Sequence, residues 1–159
     1  MSKTLFLLQS LEQGGAETYL VRFLEYTRLQ GAYVLCKSGR GGALEERFRH
    51  VATVVLGQKL SLYNPLDYVR FVRYLKAEQF DTVCDLQGNF AGWTLLCARL
   101  AGVKRRVAFY RESRNQFRPT PGRRLYARLI TEAMVQNATR ILSNSRAALE
   151  HFHPRLLRT

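Results

Sequence analysis

The sequence predicts an α/β three-layer sandwich, with a mainly parallel sheet of six or seven strands between two layers of helices. Short apolar or β-branched runs alternate along the 159 residues with segments whose apolar residues recur at helical spacing. This alternation implies parallel strands joined by right-handed crossovers, with helices on both faces of the sheet. No internal repeat, low-complexity segment or long linker interrupts it, so we expect residues 1–159 to form a single domain.

Six runs have the composition of buried strands. They cover residues 4–8, 32–36, 51–56, 80–85, 106–110 and 140–143. The clearest helix begins at the Gly14-Gly15 pair, and its apolar stripe is predicted to end at Gly31, in the manner of a glycine cap. Asn64 and Pro65 have the order of a helix cap followed by a first-turn proline. Further helices are predicted over residues 43–50, 88–100 and about 123–136.

Positive charge is concentrated in one part of the chain. The net charge is +13, and nine basic residues lie between positions 104 and 128, where Glu112 is the only acid. Such a segment attracts phosphate groups on nucleic acid, on an anionic membrane or on an acidic substrate. Composition alone does not choose among these partners.

The cysteines and the apolar runs exclude several classes of protein. The three cysteines (Cys36, Cys84 and Cys97) form no CxxC pair, so we expect no metal site and buried thiols in a reducing compartment. The apolar run near the start is much shorter than the ~20 residues of a membrane span. These features predict a cytoplasmic location, with a possible peripheral position on the inner face of the membrane.

Candidate ligand-binding residues follow the strands, because open parallel sheets bind ligands at the carboxyl ends of their strands. After the first strand, Gly14 and Gly15 would let a ligand approach the backbone, and Glu17 follows them. A purely structural turn explains the same glycines. The turn lacks the GxGxxG pattern, and Lys37 stands where a dinucleotide site would have an acidic residue.

Polar residues also follow the fourth and fifth strands. Asp85, Gln87 and Asn89 could bind sugar hydroxyls, although helix capping would use the same residue types. An arginine after the fifth strand could pair with a phosphate or carboxylate of a substrate; an internal surface ion pair with Glu112 is the alternative. The candidates for donor or acceptor binding after the fifth strand are Arg111 and Arg114. The sequence assigns no catalytic residue, and the candidates for that role are Arg111, Glu112 and Asp85.

A basic amphipathic helix is predicted after the break at residues 119–122. Its arginines alternate with apolar residues, as in helices that lie on anionic membranes, and the preceding loop is basic too. A helix docked on the core with a solvated charged face has the same pattern. The candidates for membrane or anion contact are Arg118, Arg123, Arg124 and Arg128.

Four segments together resemble the amino-terminal domain of glycosyltransferase family 4, whose members have the GT-B architecture of two facing Rossmann-like domains. The Gly-Gly-Ala-Glu turn at residues 14–17 is similar to the family's first motif. Residues 80–83, 103–108 and 138–145 are similar to its fourth strand, the approach to its fifth strand and the strand before its domain crossover. The resemblance covers about residues 3–150 in the family's order.

This resemblance implies transfer of a sugar from a nucleotide-sugar donor to a hydroxyl acceptor, with retention, and with no cofactor or obligatory metal. Gly14 and Gly15 would face the cleft near the donor phosphates. The family often has a histidine in its strand-five loop, where this chain has Tyr110, Arg111 and Glu112. We expect the donor-binding carboxy-terminal domain to be absent from this chain. The chain would then hold the acceptor, glycan or lipid-linked, and be inactive alone.

Two other classes of protein are alternatives. A nucleic-acid-binding module would suit the positive charge, but the sequence contains no recognisable RNA- or DNA-binding motif. A stand-alone nucleotide-binding enzyme would need an acidic residue after the second strand, and the sequence has none there. Nucleic acid is therefore the less favoured partner, and the sugar-transfer reading is preferred.

Overall fold

A single sheet of six strands organises the protein. The computed structural model describes residues 2–61, 64–110 and 121–144. All strand pairs within them are parallel, in the order β3-β2-β1-β4-β5-β6, which confirms the predicted parallel α/β architecture. The strands are β1 (Thr4–Leu8), β2 (Ala32–Cys36), β3 (Thr53–Val55), β4 (Thr82–Asp85), β5 (Arg105–Tyr110) and β6 (Arg140–Ser143). The helices are α1 (Gly15–Thr27), α2 (Glu45–Val51), α3 (Pro65–Glu78), α4 (Gly92–Leu100) and α5 (Pro121–Asn137).

Each face of the sheet carries its own hydrophobic core, because successive side chains of a strand point to opposite faces. Leu5 and Leu7 of β1 pack with residues of α3, α4 and α5, whereas Phe6 and Leu8 pack with residues of α1 and α2. The helices therefore form two layers, as predicted. Since the strands are parallel, α3, α4 and α5 all run from the carboxyl edge of the sheet back to its amino edge.

Several boundaries differ from the sequence-based prediction by a few residues, and two of them differ for identifiable local reasons. Helix α1 ends at Thr27, and Arg28 caps it in the left-handed conformation (φ 48°) by donating its backbone N–H to Leu24. Gly31 also has positive φ, but it forms the turn into β2 and does not cap the helix. Residues 88–91, which we expected to be α-helical, form a 3₁₀ turn that precedes α4.

Helix α3 begins as predicted. The Asn64 side chain accepts a hydrogen bond from the Leu66 backbone N–H at 3.2 Å, with Pro65 in the first turn. Phe71 and Leu75 of this helix are buried, whereas Leu66 and Val69 are exposed. Exposed apolar residues at the start of α3 therefore need an explanation other than the core.

Buried thiols and phenols predict that the protein loses stability in base. Burial raises the pKa of Cys97 to about 11 and that of Cys84 to about 12; burial also raises the pKa of Tyr74 to about 12. The unfolded chain releases these protons first, so stability is fully present below about pH 9 and falls as the pH rises toward these values. We expect the urea midpoint to be constant from pH 7 to 8.5 and to drop by pH 10.5.

The matched test uses Cys97→Ala, which removes one of these groups. Its urea midpoint should fall less steeply between pH 9 and 10.5 than that of the wild type. Identical slopes in the two proteins, or a midpoint that rises with pH, would contradict the assignment.

Candidate functional site

The carboxyl ends of β1, β2 and β4 meet at one edge of the sheet, at the point where the strand order reverses. The chain passes from β1 to α1 on one face and from β4 to α4 on the other, so the two loops diverge and leave a crevice between them. Crevices of this kind are the usual ligand sites of open α/β sheets. The structure thus places the residues that follow these strands where a ligand-binding function is expected.

A buried ion pair lies in this crevice. Lys37, the first residue after β2, reaches across the end of β1 to Asp85, the last residue of β4. The Lys37 Nζ and Asp85 Oδ2 atoms are 2.5 Å apart, and the side chains are 5% and 0% exposed. Removing two charges from water is costly unless geometry and further hydrogen bonds compensate. The pair therefore has to be held by its surroundings.

Neighbouring polar groups supply that compensation. The Asp85 carboxylate also accepts hydrogen bonds from the Thr94 hydroxyl and, at 3.0 Å, from the Gln87 backbone N–H. Lys37 donates a second hydrogen bond, 2.7 Å long, to Gln87 Oε1, and the Gln87 Nε2 atom donates to Gln9 Oε1 at 2.8 Å. We call Gln9, Lys37, Asp85, Gln87 and Thr94 the switch-point network.

The switch-point network forms the floor of a cavity of about 590 Å³ on the face of the sheet that carries α3 and α4. Asp85 does not line the cavity, because it is fully buried behind Lys37. This placement gives Asp85 a positioning role, since it fixes Lys37 and Gln87. The lining residues are Gln9, Lys37, Ser38, Arg40, Lys59, Leu60, Ser61, Tyr68, Gln87, Phe90 and Thr94.

The loops after β1, β2 and β3 pack against one another around this cavity. The Leu60 backbone N–H donates to the Lys37 carbonyl at 2.9 Å, and the Gly57 N–H donates to Gly39 at 3.2 Å. Gly42 lies against the backbone of Leu11, so that a Cβ at position 42 would be 2.5 Å from the Leu11 carbonyl carbon. The absence of a side chain at Gly42 therefore lets the β2 loop touch the β1 loop.

Gly14 and Gly15 line a different recess, at the start of α1. It has a volume of about 670 Å³, and its walls include the exposed aromatic residues Tyr19, Phe23 and Tyr26. The Glu17 carboxylate folds back over the Cα atom of Gly14, so it covers part of the turn. The glycine turn and the switch-point network share one edge of the sheet, but no described contact joins them.

Asn89 is held by the end of the neighbouring strand. Its Oδ1 atom accepts a hydrogen bond from the hydroxyl of Tyr110, the last residue of β5, and burial raises the pKa of that phenol. Gly88 has φ 54°, and the Tyr110 ring would lie 2.9 Å from a Cβ at that position. The polar tail of β4 is thus fixed both to β1, through Gln87 and Gln9, and to β5.

The described residues of the basic segment lie in two separate places. Arg105 and Arg106 begin β5, at the opposite edge of the sheet, where Arg106 donates to the Asn137 and Val103 carbonyls at 2.7 and 2.6 Å. Arg128 is exposed on α5. Arg111, Glu112, Arg114 and Arg118 lie outside the described residues, and Arg123 and Arg124 belong to α5 with undescribed side chains.

Sequence reasoning missed the contributions of Lys37, Gln9 and Thr94. In the sequence, Lys37 counted only as evidence against a dinucleotide site. A lysine directly after a buried strand, next to the strand-order reversal, was a signal that it belongs to the site. Thr94 lies one turn into α4 and carried no signal. Among the described residues, no group of three or more His, Cys, Asp or Glu side chains could hold a metal ion.

The fold and the crevice define the class of this protein as a Rossmann-like α/β domain with its ligand site at the strand-order reversal. The family model of glycosyltransferase family 4 matches residues 13–156. The chain belongs to that family, as its motifs predicted. No helix within residues 2–61, 64–110 and 121–144 has the length and apolar character needed to cross a membrane.

Solved structures share the fold at low sequence identity. Anabaena HepE, solved in complex with UDP and glucose, is 20% identical with a TM-score of 0.67, covering 96% of this chain and 40% of its own. Acinetobacter baumannii MurG is 16% identical with a TM-score of 0.55, covering 92% and 42%. Leucoanthocyanidin reductase from Vitis vinifera, bound to NADPH, is 17% identical with a TM-score of 0.55, and the match covers 91% of this chain and 50% of the reductase chain. No curated protein sequence matches this chain.

The extent of these matches limits what the fold means for function. The chain spans about 40% of the HepE chain that it matches. A reductase shares the fold as well, so the architecture by itself does not choose the reaction. Any assignment of activity therefore has to rest on the family and on the site.

Proposed function

We propose that this chain is the acceptor-binding half of a glycosyltransferase, which moves a sugar from a nucleotide-sugar donor to a hydroxyl acceptor. The partner half would be a donor-binding carboxy-terminal domain. We place the reaction in the synthesis of cell-surface polysaccharide or glycolipid, in the cytoplasm and at the inner face of the membrane. Family membership supports the reaction class, and HepE, a protein of similar fold, was solved with UDP-glucose.

The observation that carries the proposal is the switch-point network at the carboxyl edge. Gln9 and Gln87 offer amide groups at the surface of the cavity, and Lys37 fixes the Gln87 carbonyl from below. Amide side chains with fixed orientation suit sugar hydroxyls, which both donate and accept hydrogen bonds. Because Asp85 holds the lysine, the amides are preorganised before an acceptor arrives.

The proposed division of work follows from the two recesses on this edge. The cavity above Lys37 would hold the acceptor, and the turn at Gly14 and Gly15 would face the donor phosphates from the other side. Arg111, Glu112 and Arg114 follow Tyr110, the last residue of β5, in the sequence. A cation among them would stabilise charge on the departing diphosphate. Catalysis of this kind depends on both walls of a cleft, so we expect this chain to transfer no sugar alone.

Retention of configuration and independence from metal ions are further parts of the proposal that family membership suggests. The direct test measures transfer of radiolabel from nucleotide hexoses to a lipid extract of the host cell, with the protein purified from that cell. We expect transfer from one donor class, unchanged by EDTA. Absence of transfer from every donor, with NADPH bound instead, would overturn the proposal in favour of a nucleotide-binding enzyme.

Exposed apolar residues support a peripheral position on the membrane. Exposed apolar side chains lie near the starts of α3 and α4 and in the first half of α5, at Leu66, Trp93 and Leu125. Leu129 follows one turn later on α5, next to the exposed Arg128. Aromatic and aliphatic side chains beside arginines are typical of surfaces that bind anionic membranes.

Charge reversal on α5 should abolish membrane binding. We expect the chain to sediment with vesicles that contain 30% anionic lipid, because each basic residue near the surface adds about 1 kcal/mol of attraction. The Arg123→Glu/Arg124→Glu/Arg128→Glu variant should stay in the supernatant. The control, Arg28→Glu/Arg47→Glu/Arg49→Glu, has the same charge change in and beside the helices on the other face. If both variants bind equally, the proposed membrane surface is wrong.

A further inference from the structure

The cavity above the switch-point network is strongly cationic. Among the described residues that line it, three are basic (Lys37, Arg40 and Lys59) and none is acidic. Two buried carboxylates lie nearby: Asp85 is paired with Lys37, and Asp67 accepts a hydrogen bond from the Ser61 backbone N–H. Arg40 and Lys59 are exposed at the rim and form no side-chain hydrogen bond or ion pair with any described residue. Two positive charges in this cavity are therefore uncompensated.

The backbone holds the residues that carry these two charges close to each other. Lys59 packs on Gly39, whose added Cβ would lie 3.4 Å from the Lys59 Cβ, and Arg40 is the next residue along the chain. The hydrogen bonds of Leu60 to Lys37 and of Gly57 to Gly39 fix the β3 loop to the β2 loop on both sides of Lys59. Like charges on joined loops repel each other, and a bound anion would relieve that repulsion.

Neutral donors complete the lining. Tyr68 of α3 lines the same cavity, and its hydroxyl makes no hydrogen bond with a described residue. Burial raises the pKa of Tyr68 to about 12, so the phenol keeps its proton and remains a donor at neutral pH. The Ser38 and Gln87 side chains line the same cavity. A tetrahedral anion with several acceptor oxygens matches such a set of donors.

We propose that this cavity binds the phosphate or diphosphate group of the acceptor, with Arg40, Lys59 and Tyr68 as its direct contacts. The acceptor is then a phosphorylated sugar, either a soluble sugar phosphate or a lipid-linked sugar diphosphate. A volume of about 590 Å³ is large enough for a sugar and its phosphate. Calling the ligand an acceptor rests on the proposed transferase function, whereas the anion site itself does not depend on it.

The anion site is tested with the full chain by NMR titration of inorganic pyrophosphate. We expect saturable shifts at the backbone amides of Ser38, Arg40 and Lys59. The Arg40→Gln/Lys59→Gln variant should weaken pyrophosphate binding at least about tenfold, because each charged contact contributes substantially to affinity. The control, Arg73→Gln/Lys76→Gln, removes two exposed charges from the second half of α3 and should bind like the wild type.

The anion site would be contradicted if the amide shifts did not saturate with pyrophosphate concentration, or if both double variants lost binding equally. Titration with a hexose 1-phosphate and with a polyprenyl diphosphate sugar in detergent then separates the soluble source from the lipid-linked one. Sugar transfer to a methyl glycoside that has no phosphate is also assayed. If the rate of that transfer is the same in the wild type and in Arg40→Gln/Lys59→Gln, the acceptor is not phosphorylated, although the transferase function is upheld. Saturable pyrophosphate binding by the chain, with no transfer to any acceptor by the protein purified from its host cell, would uphold the site and contradict the transferase.

Discussion

Replacing Lys37 by methionine should lower the free energy of unfolding by about 3–5 kcal/mol, the usual effect of removing one partner of a buried ion pair. The substitution leaves the Asp85 carboxylate charged and fully buried, with only Thr94 and the Gln87 N–H as donors. It also frees the Gln87 side chain, which positions Gln9. We expect the urea midpoint to fall and sugar transfer to be lost in the protein that remains folded.

A second variant separates the lost charge from the lost volume. Lys37→Met/Asp85→Asn removes both charges and keeps an acceptor for Thr94, so it should recover roughly half or more of the stability, although not the transfer activity. Arg47→Met is the surface control, because the Arg47–Glu25 pair is exposed and such pairs contribute ~0–1 kcal/mol. A Lys37→Met effect as small as that of Arg47→Met would show that the pair is not desolvated in solution.

Replacing Gly92 by alanine should destabilise the protein by about 1–3 kcal/mol, as expected for overpacking of a core. Gly92 begins α4 where α5 crosses it, and a Cβ there would clash with the Ile130 backbone carbonyl while lying 3.2 Å from the Met134 N atom. The φ of Gly92 is −52°, which any residue adopts, so the penalty is steric and not conformational. Urea denaturation measures it directly.

Gly122 provides the matched control for Gly92. It also lies in a helix, α5, but no atom lies within 4 Å of a Cβ added there. Alanine should therefore stabilise α5 by up to about 1 kcal/mol through its helix propensity. If Gly92→Ala and Gly122→Ala have the same effect, the close approach of α4 and α5 does not exist in solution.

Much of the fold was predictable because one physical signal repeats along the chain. Buried parallel strands need continuous apolar runs, and residues 4–8 and 32–36 match β1 and β2 at both ends. Residues 140–143 also match β6, a partly exposed edge strand. Errors arose where two local signals compete. Gly31 has the positive φ that was expected of a helix cap, but it lies in the turn into β2. The cap residue of α1 is Arg28, which adopts the less favourable left-handed conformation.

The candidate site was predictable only in part, because contacts between loops depend on tertiary geometry. The carboxyl edge followed from the topology, and Asp85, Gln87 and Asn89 lie there. That Lys37 crosses β1 to neutralise Asp85 depends on the strand order and on side-chain direction, which no local pattern encodes. The position of Arg106 depends on topology in the same way, because β5 carries it to the far edge of the sheet.

The most direct test of the transferase reading is an experimental structure of the protein with a nucleotide-sugar donor and its acceptor bound. Our account predicts the acceptor within hydrogen-bonding distance of Gln9 or Gln87, and the donor phosphates near the Gly14-Gly15 turn. Ligand density at the amino-terminal edge of the sheet, near Arg105, would contradict it, and so would a bound acceptor that leaves the cavity above Lys37 empty.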